Sequence, residues 1–150
     1  MIGLRSVTAE DEDLLLEWAN DPAVRQMAFD PTMISAEGHK EWFHSKLKDP
    51  NTKMYILEEN NVPIGQIRFD LNEKDGSYYI DYSIDRNFRG KGYGNSIVIQ
   101  GLEFHRNLNV IGSNYKALVK ESNAASVQCF IKSGFRQISK SPECIVFVKD

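Results

Sequence analysis

The run Arg89-Gly90-Lys91-Gly92-Tyr93-Gly94 places glycine at every second position of a six-residue loop. Glycine accepts positive φ, so such a loop turns tightly and exposes consecutive main-chain N–H groups. The residues before it, 78–85, alternate like a strand, and those after it, 96–106, carry the apolar spacing of a helix. A helix starting behind the loop adds the positive end of its dipole. The chemistry favoured here is anion binding, and a pyrophosphate fits. Other phosphate loops fail by position. The dinucleotide fingerprint needs glycine where Asn95 stands, and Walker A needs Ser or Thr where Gly92 follows Lys91. The protein-kinase glycine loop also fails at Asn95, in a chain too short for a kinase. The pattern left is Arg-x-x-Gly-x-Gly, carried by Arg89, Gly92 and Gly94. A glycine-rich turn with no ligand is the plainer alternative.

A second group of residues has acid–base character. Alternation over 78–85 puts Tyr79, Asp81 and Ser83 on one face and Ile80, Tyr82 and Ile84 on the other. Gln66, Arg68 and Asp70 share a face of the preceding strand. An antiparallel hairpin with an odd register sum brings the two polar sets together. Such a face is unusual for a core and suits a site for a polar ligand. Asp81 is the first candidate base, acting through water, and Asp70 the second. Arg68 paired with either aspartate is the structural alternative, and the two readings are compatible. His39, with an ordinary pKa near ~6.5, suits proton transfer, or is a half-exposed helix residue.

The elements that position these residues follow from pattern. Residues 2–7 read as a strand. Thr8 offers an N-cap followed by Glu10, Asp11 and Glu12, which suit the helix dipole, and Leu14, Leu15 and Trp18 mark one helical face. Asn20-Asp21-Pro22 stops or redirects that helix, and 23–29 form a short helical piece. His39, Trp42, Phe43 and Leu47 mark a helix over 35–48. Strands follow at 54–58, 64–71 and 78–85, with turns at Asn60-Asn61 and Asp75-Gly76. After the glycine loop and its helix come a strand at 115–120, a helix capped by Asn123 and stopped by Gly134, and a hairpin of 135–139 with 144–149.

At 150 residues the chain, 1–150, reads as a single domain with a sizeable core. Eighteen Lys+Arg against 21 Asp+Glu give a net charge of −3, without the basic stripe of a nucleic-acid binder. Cys129 and Cys144 have no metal-type spacing and read as reduced thiols of a cytoplasmic protein. The first residues lack the build of a signal peptide, and no apolar run approaches membrane-spanning length. No metal is expected.

The loop pattern resembles that of the GNAT N-acetyltransferase superfamily. Asn123-x-x-Ser126, Phe130 and Gly134-Phe135 are similar to the family's second cofactor element, and the element order matches from end to end. The resemblance implies an α/β fold with a mixed sheet of about seven strands and about four helices. It implies acetyl-CoA held by Arg89, Gly90, Lys91, Gly92, Tyr93 and Gly94, with its pantetheine arm near Asn123, Ser126 and Phe130. A main-chain N–H near Ile84 would polarise the thioester carbonyl. Singly, Asn123 is an ordinary N-cap and Ser126 an ordinary first-turn residue. Phe130 departs from the family, where many members carry a tyrosine as candidate acid for the leaving thiolate. Phenylalanine cannot donate a proton, although a thiol pKa near ~8.5 makes unassisted departure tolerable.

A narrower likeness runs through Leu14-Leu15-x-Glu17-Trp18-x-Asn20-Asp21-Pro22-x-Val24-Arg25, His39-x-x-Trp42-Phe43 and Ile64-Gly65-Gln66-x-Arg68-Phe69-Asp70. It resembles the N-acetyltransferases of nucleotide-linked 4-amino-4,6-dideoxy sugars of the pseudaminic acid type. That likeness implies a UDP-linked amino-sugar acceptor lined by Asn20, Arg25, Phe29, His39, Trp42, Gln66 and Arg68, with arginines on the diphosphate. It implies no nucleic-acid or membrane partner and permits a homodimer. The alternatives are acetylation of protein N-termini or other small amines, and a non-catalytic acyl-CoA-binding domain.

Overall fold

The computed structural model describes residues 1–108 and 114–150. Strand β1 (Ile2–Ser6) leads into three helices, α1 (Glu12–Ala19), α2 (Pro22–Met27) and α3 (Ala36–Lys48). Three strands follow, β2 (Thr52–Glu59), β3 (Val62–Asn72) and β4 (Ser77–Ile84). Then come α4 (Tyr93–Arg106), β5 (Asn114–Val119), α5 (Ala124–Lys132), β6 (Arg136–Lys140) and β7 (Ile145–Lys149).

The elements follow the expected order, with boundaries shifted by a few residues. Among the described residues the chain has five α-helices, in keeping with about four, and the Asn20-Asp21-Pro22 corner separates α1 from α2, the short helical piece expected at 23–29. Asp21 caps α2 by accepting from Ala23 N at 2.9 Å, and Pro22 takes the first helical position, where its missing N–H costs nothing. Helix α4 begins at Tyr93, three residues earlier than the apolar spacing indicated. Gly94 and Asn95 are poor helix formers, so the first turn is hidden in the sequence.

The strands form one sheet in the order β1-β2-β3-β4-β5-β7-β6. Every neighbouring pair is antiparallel except β4 and β5, whose parallel ladder joins only Ser77–Tyr79 to Asn114–Lys116. Beyond those pairs β4 continues to Ile84 and β5 to Val119 without pairing to each other, which leaves a gap between their carboxyl halves.

Alternation distributes apolar side chains to both sheet faces. One face packs Tyr55, Leu57, Ile67, Phe69 and Ile80 against Ile97, Val98 and Leu102 of α4 and Cys129 and Phe130 of α5. The opposite face packs Met54 and Ile56 against Leu15, Trp18 and Phe43 from α1 and α3. Helix α4 lies close on β3 because residue 101 is glycine: a Cβ there would stand 2.9 Å from Ile67 Cδ1. His105, on the inner face of α4, is fully buried, with Nδ1 2.8 Å from the Tyr115 hydroxyl and its ring stacked on Phe69. Burial, with the nearby Lys53 charge, pushes its pKa down to about 4. Both cysteines are free.

Candidate active site

The glycine loop has the geometry of an anion cradle. Gly90 and Gly92 have φ of +76° and +85°, and no atom lies within 4 Å of a Cβ built at either. Gly92 is the N-cap of the 14-residue α4, and no side chain bonds to the helix start there. The first-turn N–H groups are left for a ligand. Arg89 braces the loop, with Nε donating to Ile84 O at 3.0 Å and Nη2 to Asp21 Oδ2 at 3.1 Å. Tyr93 turns its hydroxyl to Glu59, and Lys91 Nζ lies 5.9 Å from the Phe88 ring centroid. A phosphate-bearing cofactor fits the open side of this turn.

The gap between β4 and β5 continues from the cradle. Asp85 N donates to Ile64 O on β3 at 2.7 Å. Successive residues of an antiparallel strand point their main-chain groups to opposite sides. The Ile84 N–H is therefore directed away from β3, toward the gap. On the gap's other side Asn123 caps α5 by accepting from Ser126 N at 3.2 Å. Ser126 Oγ lies 2.9 Å from the Tyr82 hydroxyl. Phe130 is buried in the core, edge-on to Tyr82. The Tyr82–Ser126 pair was not foreseen, because alternation assigns Tyr82 to the core face and says nothing of where its hydroxyl ends.

The polar face forms in the expected register, with Arg68 opposite Asp81, Gln66 opposite Ser83 and Asp70 opposite Tyr79. Asp81 is more than half exposed; its Oδ2 accepts from Gln66 Nε2 at 3.1 Å and lies 3.7 Å from Arg68 Nη1. Among the described residues its other oxygen has no partner. Asp70 is bound from several sides, by Arg68 Nε at 2.6 Å, Thr52 Oγ1 at 2.7 Å and Lys46 Nζ at 3.0 Å. Burial acts to raise its pKa, but the Arg68 charge and these bonds outweigh it and hold the carboxyl below its usual range. Asp70 is thus an anchor for Arg68 and a poor base, whereas Asp81 keeps an accessible oxygen.

The helices expected to wall this face do so unevenly. Trp42 on α3 is partly exposed and lies beneath the Arg68 guanidinium, 5.0 Å from ring centroid to Cζ. His39, one turn earlier, is buried rather than half exposed; it stacks on Phe43, and Nδ1 lacks a partner. Burial lowers its pKa, against the opposing pull of Glu12. Arg25 donates to Ala19 O, Asp30 O and Thr32 O, so its guanidinium shapes the α2–α3 loop instead of facing the polar surface. Asn20 likewise clasps Ile34, donating to its carbonyl and accepting from its N–H, both at 2.8 Å. Phe29 is exposed and joins Lys120, Glu121, Ser122, Pro142 and Glu143 around a cavity of about 600 Å³. Lys120 Nζ donates to Gln26 O, which ties α2 to the end of β5. Trp18 Nε1 donates to Asp85 Oδ2 at 2.9 Å, a link from α1 to the end of β4 that no sequence signal marked.

Among the described residues no group of three or more His, Cys, Asp or Glu side chains is placed to hold a metal ion, and no helix is long and apolar enough to cross a membrane.

The family model of the acetyltransferase (GNAT) domain matches residues 2–136. No curated protein sequence matches the chain. Solved structures share the fold. The spermidine N-acetyltransferase of Vibrio cholerae, in complex with CoA and spermine, is 16% identical with a TM-score of 0.83, over 98% of this chain and 92% of that one. An aminoglycoside acetyltransferase in complex with coenzyme A and kanamycin is 21% identical with a TM-score of 0.82, over 99% and 94%. The ribosomal-protein alpha-N-acetyltransferase RimL, in complex with coenzyme A, is 16% identical with a TM-score of 0.81, over 99% and 93%.

Proposed function

The chain belongs to the GNAT acetyltransferase domain family, and on that premise we propose that it transfers an acetyl group from acetyl-CoA to the 4-amino group of a UDP-linked amino-deoxy sugar, by direct attack of the amine on the thioester. The observation that carries the reading is Asp81, an exposed carboxylate beside the gap between β4 and β5, bordered by Gln66, Arg68 and Trp42.

The cradle of Gly90, Gly92 and Gly94 with Arg89 and Lys91 suits the pyrophosphate of coenzyme A. Asn123 and Ser126 stand where the pantetheine arm would pass. When bound, the cofactor supplies an acetyl group already activated as a thioester. The Ile84 N–H is a preorganised donor for the carbonyl oxygen as charge develops there. Asp81 takes the amine proton through a water molecule, and holding both reactants in one cleft supplies proximity. Trp42 offers a flat surface for a sugar or base, and Arg68 a guanidinium for the diphosphate. His39 acts from beneath Trp42, and Asn20 and Arg25 act by shaping the loop that carries Phe29. The free thiols of Cys129 and Cys144 suit a reducing, cytoplasmic setting.

A second reading is a cationic amine or protein N-terminus as acceptor. It draws on Glu121 and Glu143 at the cavity beside Phe29 and on the engagement of Arg25 by carbonyls. A purely binding domain is disfavoured, because an exposed Asp81 beside a thioester site has no use in it. Mass spectrometry of the acceptor after incubation with acetyl-CoA tests the proposal. One acetyl group on the 4-amino nitrogen of the UDP sugar supports it. Acetylation of polyamines or peptides alone would overturn the acceptor.

A further inference from the structure

We propose that the Tyr82 hydroxyl, positioned by Ser126, donates a hydrogen bond to the sulfur that leaves in acetyl transfer while keeping its own proton. The inference rests on the acetyl-CoA reading above.

Forming the new C–N bond and breaking the C–S bond moves an electron pair onto sulfur. A donor aimed at that atom stabilises the developing charge. Phe130 has no hydrogen-bond donor to offer. The phenol that meets its ring edge, at 5.6 Å between centroids, is Tyr82. Its hydroxyl lies 2.9 Å from Ser126 Oγ, in the first turn of α5. It also lies 3.7 Å from where a Cβ on Gly94 would stand, in the first turn of α4. The hydroxyl therefore sits in the wedge between the two helix starts, on the stretch of β4 that has parted from β5.

The pair of hydroxyls has a donor to spare. Two hydroxyls own two protons, and one bond between them uses one. With Ser126 donating, the Tyr82 proton points elsewhere and meets the Cys129 thiol, a weak acceptor that a more basic sulfur displaces. A site that already accommodates one sulfur suits another.

Hydrogen bonding, not proton transfer, is what this phenol can do. Burial, with the nearby Cys129, pushes its pKa well above the ordinary phenol value. A thiolate with an ordinary pKa near ~8.5 cannot strip such a group of its proton. The electron pair stays on sulfur, the proton stays on oxygen, and the thiolate gains a proton from solvent after release. The amine proton leaves separately, toward Asp81.

The test reads the thiol of bound coenzyme A. Its ionisation is followed by ultraviolet absorbance of the thiolate in the wild type and in Tyr82→Phe. The variant is expected to form thiolate at a pH about one unit higher, a tenfold loss of stabilisation. Its kcat should fall about tenfold or more, with KM for acetyl-CoA within about twofold, as for a contact made only in the transition state. Ser126→Ala, at a half-buried position in the first turn of α5, should move both readouts the same way by less. Equal thiol titration in the wild type and a folded Tyr82→Phe, both with coenzyme A bound, overturns the inference and spares the acetyl-CoA reading; so does an unchanged Ser126→Ala if Tyr82→Phe does not fold. Loss of an alkaline limb of kcat in Tyr82→Phe would make Tyr82 a proton donor and overturn the hydrogen-bonding form. No coenzyme A binding by the wild type overturns both readings.

Discussion

Asp21 Oδ2 lies 3.1 Å from Arg89 Nη2, so the cap of α2 is tied to the loop that cradles the anion. A phosphate reaching Arg89 competes with that carboxylate. Asp21→Asn keeps an N-cap and removes the competing charge. Acetyl-CoA affinity should rise about twofold to fivefold at low salt, the scale of an exposed ion pair. The gain should shrink as salt screens the charges. Isothermal titration at two ionic strengths checks this, and weaker binding in the variant would take Arg89 out of the phosphate site.

Asp81 and Asp70 share a sheet face but not a role. Asp70 holds Arg68, whereas Asp81 keeps an accessible oxygen. Asp81→Asn preserves size and the Gln66 neighbourhood, so folding and acetyl-CoA binding should be unchanged. Turnover should fall about 10²- to 10⁴-fold, the range for loss of a general base. Steady-state rates across pH decide it: equal rates in variant and wild type remove Asp81 as the base.

Gly92 sits at φ +85° with open space around it. A β-branched residue there meets no clash inside the protein but is forced into the left-handed region, at about 1–2 kcal/mol. Gly92→Val should fold, with a lowered denaturation midpoint, and should lose detectable acetyl-CoA binding because the side chain enters the cradle. Wild-type affinity in this variant would refute the cradle.

His105 couples stability to acid. Its folded pKa of about 4 lies below the ordinary histidine value, so the unfolded chain takes up a proton first as pH falls. The stability from keeping the ring neutral is present in full above about pH 6.5 and is lost progressively down to about pH 4. The loss amounts to about 3 kcal/mol, roughly 1.4 kcal/mol per pH unit. Asparagine can still face the Tyr115 hydroxyl without titrating. Urea midpoints over this window should fall less steeply for His105→Asn than for the wild type; equal slopes would deny His105 this part.

How far the sequence carries depends on whether a feature is local. The glycine loop and the Arg68–Asp81 register follow from adjacent residues, a turn at Asp75-Gly76 and strict alternation, and both are found. Asn20 and Arg25 look like acceptor ligands in sequence. Their polar atoms instead meet main-chain groups at positions 19, 30, 32 and 34, a capture decided by how the loop closes. His39 falls on a helical face with Trp42 and Phe43, and helical spacing cannot tell which of the three is covered. The Tyr82 hydroxyl illustrates the same limit: its position depends on two helix starts distant in sequence from β4.

The proposed reaction is acetyl transfer to an amino-sugar nucleotide on the Asp81 face. Thiol release from acetyl-CoA, measured against UDP-linked 4-amino sugars, free amino sugars, polyamines and N-terminal peptides, tests it most directly. The account predicts a saturable rate with one UDP-linked 4-amino sugar that exceeds every other acceptor and collapses in Asp81→Asn. A preferred rate with a polyamine or peptide, or no UDP sugar turned over at all, would contradict it.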